Sequence, residues 1–338
     1  MTLVVARIET GRISIAADTM ITEHKSPLPL EKWVLKSKCL PGGICVSYSG
    51  SPELAARTFR EFRANDPQST SFTSTVEFFE RSSTTTNNDY IVAFSTPAKL
   101  VTIRDGHRRS GASKTHWIGD KDAYERFREF EHRNRKKFEH NRAVNAVLFA
   151  DEMKGSPASD LYSIMRNLLQ DRELPSVGGF VTVVSNRDKG FRFSVYSDIL
   201  LDWPMDLNEN QSMKLTDKFD LRSSGENDRY SISQISPGHN DMNIVAFYHL
   251  SGRLLVVFYE DKNGEANCFS VKNVEPSKIA STLDEKLGFP FKAMCLVMSS
   301  RKEFAPSLPR VKPEQGLALS LYCEVTTFSE MPLGPIST

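Results

Sequence analysis

Thr2-Leu3-Val4-Val5-Ala6-Arg7-Ile8-Glu9-Thr10-Gly11-Arg12-Ile13-Ser14-Ile15-Ala16-Ala17-Asp18 is the stretch whose reading decides the fold. Residues 2–8 are β-branched and apolar, residues 9–12 supply a turn at Gly11, and residues 13–17 alternate again, which predicts a β-hairpin. Its second strand runs out into Asp18-Thr19, a polar pair at a strand end, where side chains face clefts more often than packed layers.

Outward from the hairpin, residues 30–39 form a short mixed segment with Lys36 in its middle. Residues 43–49 read as a strand stopped by Gly50-Ser51-Pro52. Residues 53–63 have helical spacing, with Leu54, Phe59 and Phe62 on or near one face. Ser51 suits the N-cap and Pro52 the first helical position. A strand-to-helix corner at Gly50 leaves backbone N–H groups aimed at a cleft, and such groups can hold an oxyanion.

The chemistry follows if Met1 is removed. Thr2 then owns a hydroxyl nucleophile and a free α-amine able to take its proton, and an α-amine titrates near neutrality, at roughly 8. A Lys36 cation nearby favours the deprotonated form of both groups, and Asp18 holds that lysine charged and oriented. Singly, each residue has an ordinary structural reading. Thr is common at position 2, Asp18 can cap a turn, and Lys36 can lie on a solvated strand edge.

Joined in order, they resemble the N-terminal nucleophile (Ntn) hydrolases, specifically the proteasome β-subunit and HslV branch, in which an N-terminal Thr is followed by Ala/Gly-Asp after a hairpin, then a Lys, then a Gly opening the first helix. Thr2, Ala17-Asp18, Lys36 and Gly50 stand at closely similar separations, and Asp18-Thr19-Met20-Ile21-Thr22 looks like the family's Asp-x-x-x-Thr segment. The resemblance implies that Thr2, Asp18, Lys36 and Gly50 are catalytic and that Thr22 binds substrate backbone. It further implies a specificity pocket floored by Tyr48 and walled by Ile21 and Val34, shallow enough to favour small side chains.

Composition bounds the rest. The chain has 338 residues, 39% hydrophobic and 25% charged, enough for one large or two modest domains. Basic and acidic residues nearly cancel to a net charge of +1, so no global field argues for nucleic acid or membrane. No apolar run approaches the roughly 18 residues of a transmembrane helix and no signal peptide precedes the first strand, which makes the cytoplasm the expected compartment. Cys39, Cys45, Cys268, Cys295 and Cys323 form no C-x-x-C pair and read as reduced core thiols. His132 and His140 fall in a charged helix rather than a ligand spacing, so neither metal nor cofactor is expected.

Along the chain, residues 65–74 read as a polar link, 76–81 as a short helix, 82–88 as a loop, and 90–94, 100–103 and 114–118 as strands. A long helix over 120–135 mixes Arg126, Arg128, Arg133, Arg135, Lys136 and Lys137 with Glu125, Glu129, Glu131 and Glu139. That mixture favours a solvated, salt-bridged face over a nucleic-acid stripe, with a ring interface as the other reading. Residues 143–153 continue the helical pattern up to Ser156-Pro157, and 160–170 form an amphipathic helix with Leu161, Ile164, Met165, Leu168 and Leu169 buried. Gly178-Gly179 leads into a strand, 186–190 turn, and 191–196 return.

The expected fold is α+β: a four-layer αββα sandwich of proteasome-like Ntn type over residues 1–198, which the resemblance covers from 2 to about 196. A linker or surface excursion over 199–242 follows, then a small α+β extension over 243–330 with strong strands at 243–250, 253–259 and 267–271, and a tail over 331–338. Two departures from the family stand out. Active members carry Ser-Gly-Ser or a close variant where this chain has Asp120-Lys121-Asp122, and an Asp and a Ser before the Gly-Gly hairpin where it offers Glu173 and Val177. Groups supporting a nucleophile hold its hydrogen bonds in place, so their replacement leaves two readings. One is a threonine protease or other amide hydrolase acting on peptides or proteins. The other is a catalytically weak or inactive scaffold that binds a partner.

The resemblance implies a homo-oligomeric ring that shields the sites, and it leaves open an unfoldase or ATPase partner. Light scattering across the micromolar range checks the assembly: rings give a multiple of the chain mass, and a mass equal to one chain rules them out.

Overall fold

The structure, a computed structural model, describes residues 2–23, 26–64, 71–109, 113–134, 143–149, 157–169, 171, 173–187, 190–194, 196–202, 231–237, 243–249, 253–261, 264–275, 278–287, 291–299 and 320–327. In chain order the first elements are β1 (Leu3–Glu9), β2 (Arg12–Asp18), β3 (Thr22–Glu23), β4 (Ser26–Pro27), β5 (Ser37–Leu40), β6 (Ile44–Ser49), α1 (Pro52–Ala64) and α2 (Phe72–Thr86). Then come β7 (Asp89–Ser95), β8 (Ala98–Arg104), β9 (His107–Arg109), β10 (Thr115–Gly119), α3 (Lys121–Asn134), β11 (Ala143–Phe149) and α4 (Pro157–Leu169). The remainder is β12 (Val181–Arg187), β13 (Gly190–Phe193), β14 (Tyr196–Asp202), β15 (Ser231–Pro237), β16 (Val245–His249), β17 (Leu254–Glu260), β18 (Ala266–Val271), α5 (Ile279–Leu287), β19 (Phe291–Ser299) and β20 (Ser320–Thr327).

The fold is mixed α+β with several antiparallel sheets. One sheet has the order β10-β1-β2-β12-β13 and a second β5-β6-β7-β8-β9. The expected hairpin is present, with Val4 opposite Ala17 and Glu9 opposite Arg12. Alternation along β7 explains how the second sheet is buried. Tyr90, Val92 and Phe94 share one apolar cluster with Phe59 and Phe62 of α1 and Phe79 of α2, while Ile91 and Ala93 share another with Val5 and Ile15 of the first sheet. In turn α4 lies on β1, β2 and β12 through Leu161, Ile164, Met165 and Leu168, the predicted apolar stripe. A third sheet, β11-β14-β15-β16-β17-β18, is continued by β19 and β20. Its β16 and β17 send Phe247 and Phe258 into the cluster of the first sheet, where Phe247 stacks on Phe180 with ring centroids 4.4 Å apart. Their opposite face, Ala246, Tyr248, Leu255 and Val257, packs under Leu283 of α5.

Two expectations of secondary structure fail. Residues 143–149, expected as helix, are the strand β11, paired with β14 from Ala143 opposite Asp202 to Phe149 opposite Tyr196. A seven-residue apolar run cannot separate strand from helix by period, and the partner strand decides it. Residues 82–86, expected as loop, complete α2, where Ser82 and Thr86 hydroxyls donate to carbonyls four residues back (3.0 and 2.7 Å). Asn87 in the left-handed region then ends the helix. Within the expected linker, β14 runs to Asp202 and Ser231–Pro237 form β15. Residues 203–230, the charged residues Arg135, Lys136, Lys137 and Glu139, His140, the Pro-rich 304–313 and the tail 331–338 lie outside the described residues. Among the described residues no helix is long and apolar enough to cross a membrane.

His249 ends β16 and is 1% exposed, and burial pushes its imidazole down to about 4 from 6.5. The unfolded chain therefore binds a proton that the folded chain refuses between those values. The contribution of neutral His249 to stability should be full above pH 6.5 and be lost as pH falls from 6.5 towards 4. Urea titrations across that window should show a His249→Gln variant losing that share of the acid slope.

Candidate active site

Register brings the first residues to the end of the hairpin. With Val4 opposite Ala17, the start of β1 lies beside Asp18, and the Leu3 N–H donates to Asp18 Oδ1 at 3.1 Å. Thr2 precedes β1, and its Oγ1 hydroxyl donates to the same carboxylate oxygen. On the other side of Thr2, its carbonyl accepts the Asp120 N–H at 2.7 Å. Glycine is required at 119, where φ is +103° and an added Cβ would stand 2.0 Å from that carbonyl.

Lys36 arrives from the segment before β5. Its Nζ donates to Asp18 Oδ2 at 2.9 Å and to the Met20 carbonyl at 2.6 Å. Thr2, Asp18 and Lys36 are 4%, 0% and 1% exposed, so the group is almost dry. Burial pulls the Lys36 pKa below its ordinary value, and the attraction of Asp18 and its hydrogen bond oppose that shift. The structure thus joins three of the four residues assigned to catalysis, with Asp18 as the bridge between the hydroxyl and the amine.

The other assigned residues lie around this core. Tyr48 is held to Lys36 by its N–H on the Lys36 carbonyl at 2.9 Å, and it shares an apolar cluster with Val34 and half-buried Ile21. Its ring meets Phe59 edge-on at 6.0 Å, and burial pushes its phenol pKa up. Thr22 is half-buried in β3 opposite Pro27. Gly50 is exposed, at the corner between β6 and α1, with φ +119°. A Cβ there would meet Asn88 Oδ1 at 2.0 Å. Asn88 locks the corner by accepting the Ser51 N–H at 2.8 Å and donating to the Ser51 carbonyl at 3.1 Å, and Ser51 Oγ caps α1 on the Leu54 N–H as expected.

Sequence reasoning missed several contributors. Gly178 N–H reaches Asp18 Oδ2 at 3.4 Å, and Thr19 Oγ1 accepts the Phe180 N–H at 2.9 Å. Gly178-Gly179 was visible as a pair, but a Cβ on Gly178 would meet Met20 Sδ at 2.7 Å and one on Gly179 would meet Thr19 Oγ1 at 2.6 Å. Asp120 caps α3 by accepting the Asp122 and Ala123 N–H groups (2.8 and 3.1 Å). Among the described residues no cluster of three His, Cys, Asp or Glu is placed to hold a metal ion.

No protein-family model and no curated protein matches the chain. Among solved structures, a Gly-1 mutant of Anbu from Hyphomicrobium sp. strain MC1 is similar over 57% of this chain and 84% of that one, at 14% identity and a TM-score of 0.41.

Removing Asp18 leaves Lys36 as an uncompensated buried cation. Asp18→Ala should lower unfolding stability by roughly 3–5 kcal/mol near neutral pH. Without the carboxylate, burial alone acts on Lys36 and lowers its pKa further, so part of that loss should be recovered as pH rises towards the ordinary lysine value of 10.5. Denaturant titrations between neutral and alkaline pH check both the size and the sign.

Proposed function

We propose that this chain is an amide hydrolase of the N-terminal-threonine class, acting on peptides or proteins, with the two facing sheets and their helices forming a proteasome-like αββα sandwich. One observation carries the reading: Asp18 binds the Thr2 hydroxyl and the Lys36 amine at once in a nearly waterless group. Cleavage of the Met1–Thr2 bond frees the Thr2 amine. That amine takes the hydroxyl proton as Oγ1 attacks the substrate carbonyl, and the Gly50 N–H receives the developing oxyanion. Collapse expels the leaving amine, which takes the proton, and leaves an ester on Thr2. Water activated by the same amine cleaves the ester. Lys36 stabilises the negative charge near Oγ1 and disfavours protonation of the base, while Asp18 orients Lys36. Tyr48, Ile21 and Val34 limit the side chain next to the scissile bond, and Thr22 binds substrate backbone.

The second reading, a non-catalytic scaffold, draws on Asp120, whose carboxylate is committed to capping α3 where a serine hydroxyl would serve an active relative. Intact mass and an electrophile that captures N-terminal nucleophiles separate the two. The hydrolase should lack Met1 and label at Thr2, keep some labelling in Thr2→Ser and lose it in Thr2→Ala. Lys36→Ala should slow labelling by about a hundredfold or more. Because that variant strands Asp18, its labelling is measured at a temperature where near-UV dichroism shows it folded. Retention of Met1, or labelling that survives Thr2→Ala, leaves the scaffold.

A further inference from the structure

Lys36 leads directly into β5, which among the described residues is the edge strand of its sheet, next to β6. Register makes Cys39 and Cys45 opposite residues, and both main-chain groups of Cys39 are used on the outward side. The Asn243 amide fills that edge. Its Oδ1 accepts the Cys39 N–H at 2.7 Å and its Nδ2 donates to the Cys39 carbonyl at 3.1 Å, reproducing with one side chain the pair of bonds that a neighbouring strand would make. Asn243 also donates to Glu260 Oε2 at 3.0 Å.

Glu260, at the end of β17, gathers two cations from the N-terminal part of the chain. Lys38 Nζ lies 3.6 Å from Oε2, and Arg63 in the last turn of α1 binds both carboxylate oxygens at 2.8 Å. Asn243 and Lys38 are 4% and 3% exposed, so this is a built polar joint and not a surface ion pair. It grips β5 two residues beyond Lys36 and the far end of the helix that starts after Gly50. The Lys36 carbonyl is meanwhile held by the Tyr48 N–H, so the backbone at Lys36 is fixed from β6, and Lys38 and Cys39 just beyond it are held by Glu260 and Asn243.

We propose that Asn243 and Glu260 are positioning residues of the Thr2 site, a clamp on β5 that sets where Lys36 meets Asp18. The proposal rests on the hydrolase reading for its consequence in Thr2 reactivity, and its structural content is measurable without it.

Two readouts are taken on the full chain, with Asn243→Ala and Glu260→Gln as clamp variants. Leu283→Ala, in the apolar cluster on the opposite face of the same C-terminal sheet, is the control. The first is acylation of Lys36 by acetic anhydride at fixed pH, mapped by mass spectrometry. The second is labelling of Thr2 by the electrophile. Both clamp variants should acylate Lys36 about tenfold faster and label Thr2 about tenfold slower, with Leu283→Ala within about twofold of the parent on both, compared at equal distance below each melting temperature. Glu260→Asp, which keeps the charge, should restore part of each change. Equal effects in Leu283→Ala would mean loss of stability alone and overturn the clamp, as would clamp variants that change neither rate. A parent chain that never labels at Thr2 removes the hydrolase reading, and Lys36 acylation then decides the clamp by itself.

Discussion

Everything near the start of this chain depends on one carboxylate. Asp18 is 0% exposed, so its charge forgoes water and must be met by protein donors. It finds the Thr2 hydroxyl, the Leu3 N–H, the Lys36 amine and, at longer range, the Gly178 N–H. These donors belong to separate segments: the start of β1, the approach to β5, and the turn before β12. Satisfying one buried group therefore fixes the positions of three. It also explains why the Gly178-Gly179 turn must come close enough that a Cβ on Gly178 would collide with Met20.

A second buried carboxylate repeats the device. Glu260 meets Lys38 as Asp18 meets Lys36, and the two lysines sit at alternate positions leading into and along β5. Burial lowers the pKa of both lysines, and each paired carboxylate opposes the shift. In Glu260 the balance runs the other way: burial raises its pKa, but Lys38, Arg63 and Asn243 outweigh that and hold it below the usual carboxylate range. Such pairs give little net stability against an apolar alternative, yet losing one partner is costly, so they specify an arrangement more than they strengthen it. Here the arrangement specified is the docking of Asn243 and Glu260 onto the strand that follows Lys36.

How much of this the sequence shows depends on the separation of the partners. The hairpin is local, so its register and the approach of Thr2 to Asp18 follow from alternation and one turn. Helices α1 and α4 were legible from their apolar stripes, α3 from its mixed charges at helical spacing, and Ser51 as a cap from its place before Pro52. Residues 143–149 were not, because Ala, Val, Leu and Phe in a short run suit either structure until β14 is placed beside them. Asn88 looked like one more polar loop residue, since only the fold brings it to Ser51. Nothing in the sequence tied Asn243 to Cys39, 204 residues away, or Glu260 to Arg63, 197 away, because a lone Asn and Glu before and after apolar strands carry no local signal.

On the proposed hydrolase reading, the direction of the Thr2 hydroxyl bears on which group would act as the base. Its proton points at Asp18, but a carboxylate is a poor acceptor for an alcohol proton, so this contact can orient Oγ1 without activating it. A free α-amine, with an ordinary pKa of roughly 8, is a base about four units stronger than an ordinary aspartate. While residue 1 is attached, the Thr2 nitrogen is an amide and has no basic lone pair. On the proposed hydrolase reading, chemistry at this site is therefore switched by a covalent event at the Met1–Thr2 bond and not by the engagement of Asp18 with Thr2 and Lys36, which is already in place. The supporting residues then face a narrower task than in a site that must assemble itself: they have to keep Lys36 where it is while the hydroxyl turns from Asp18 towards its own amine.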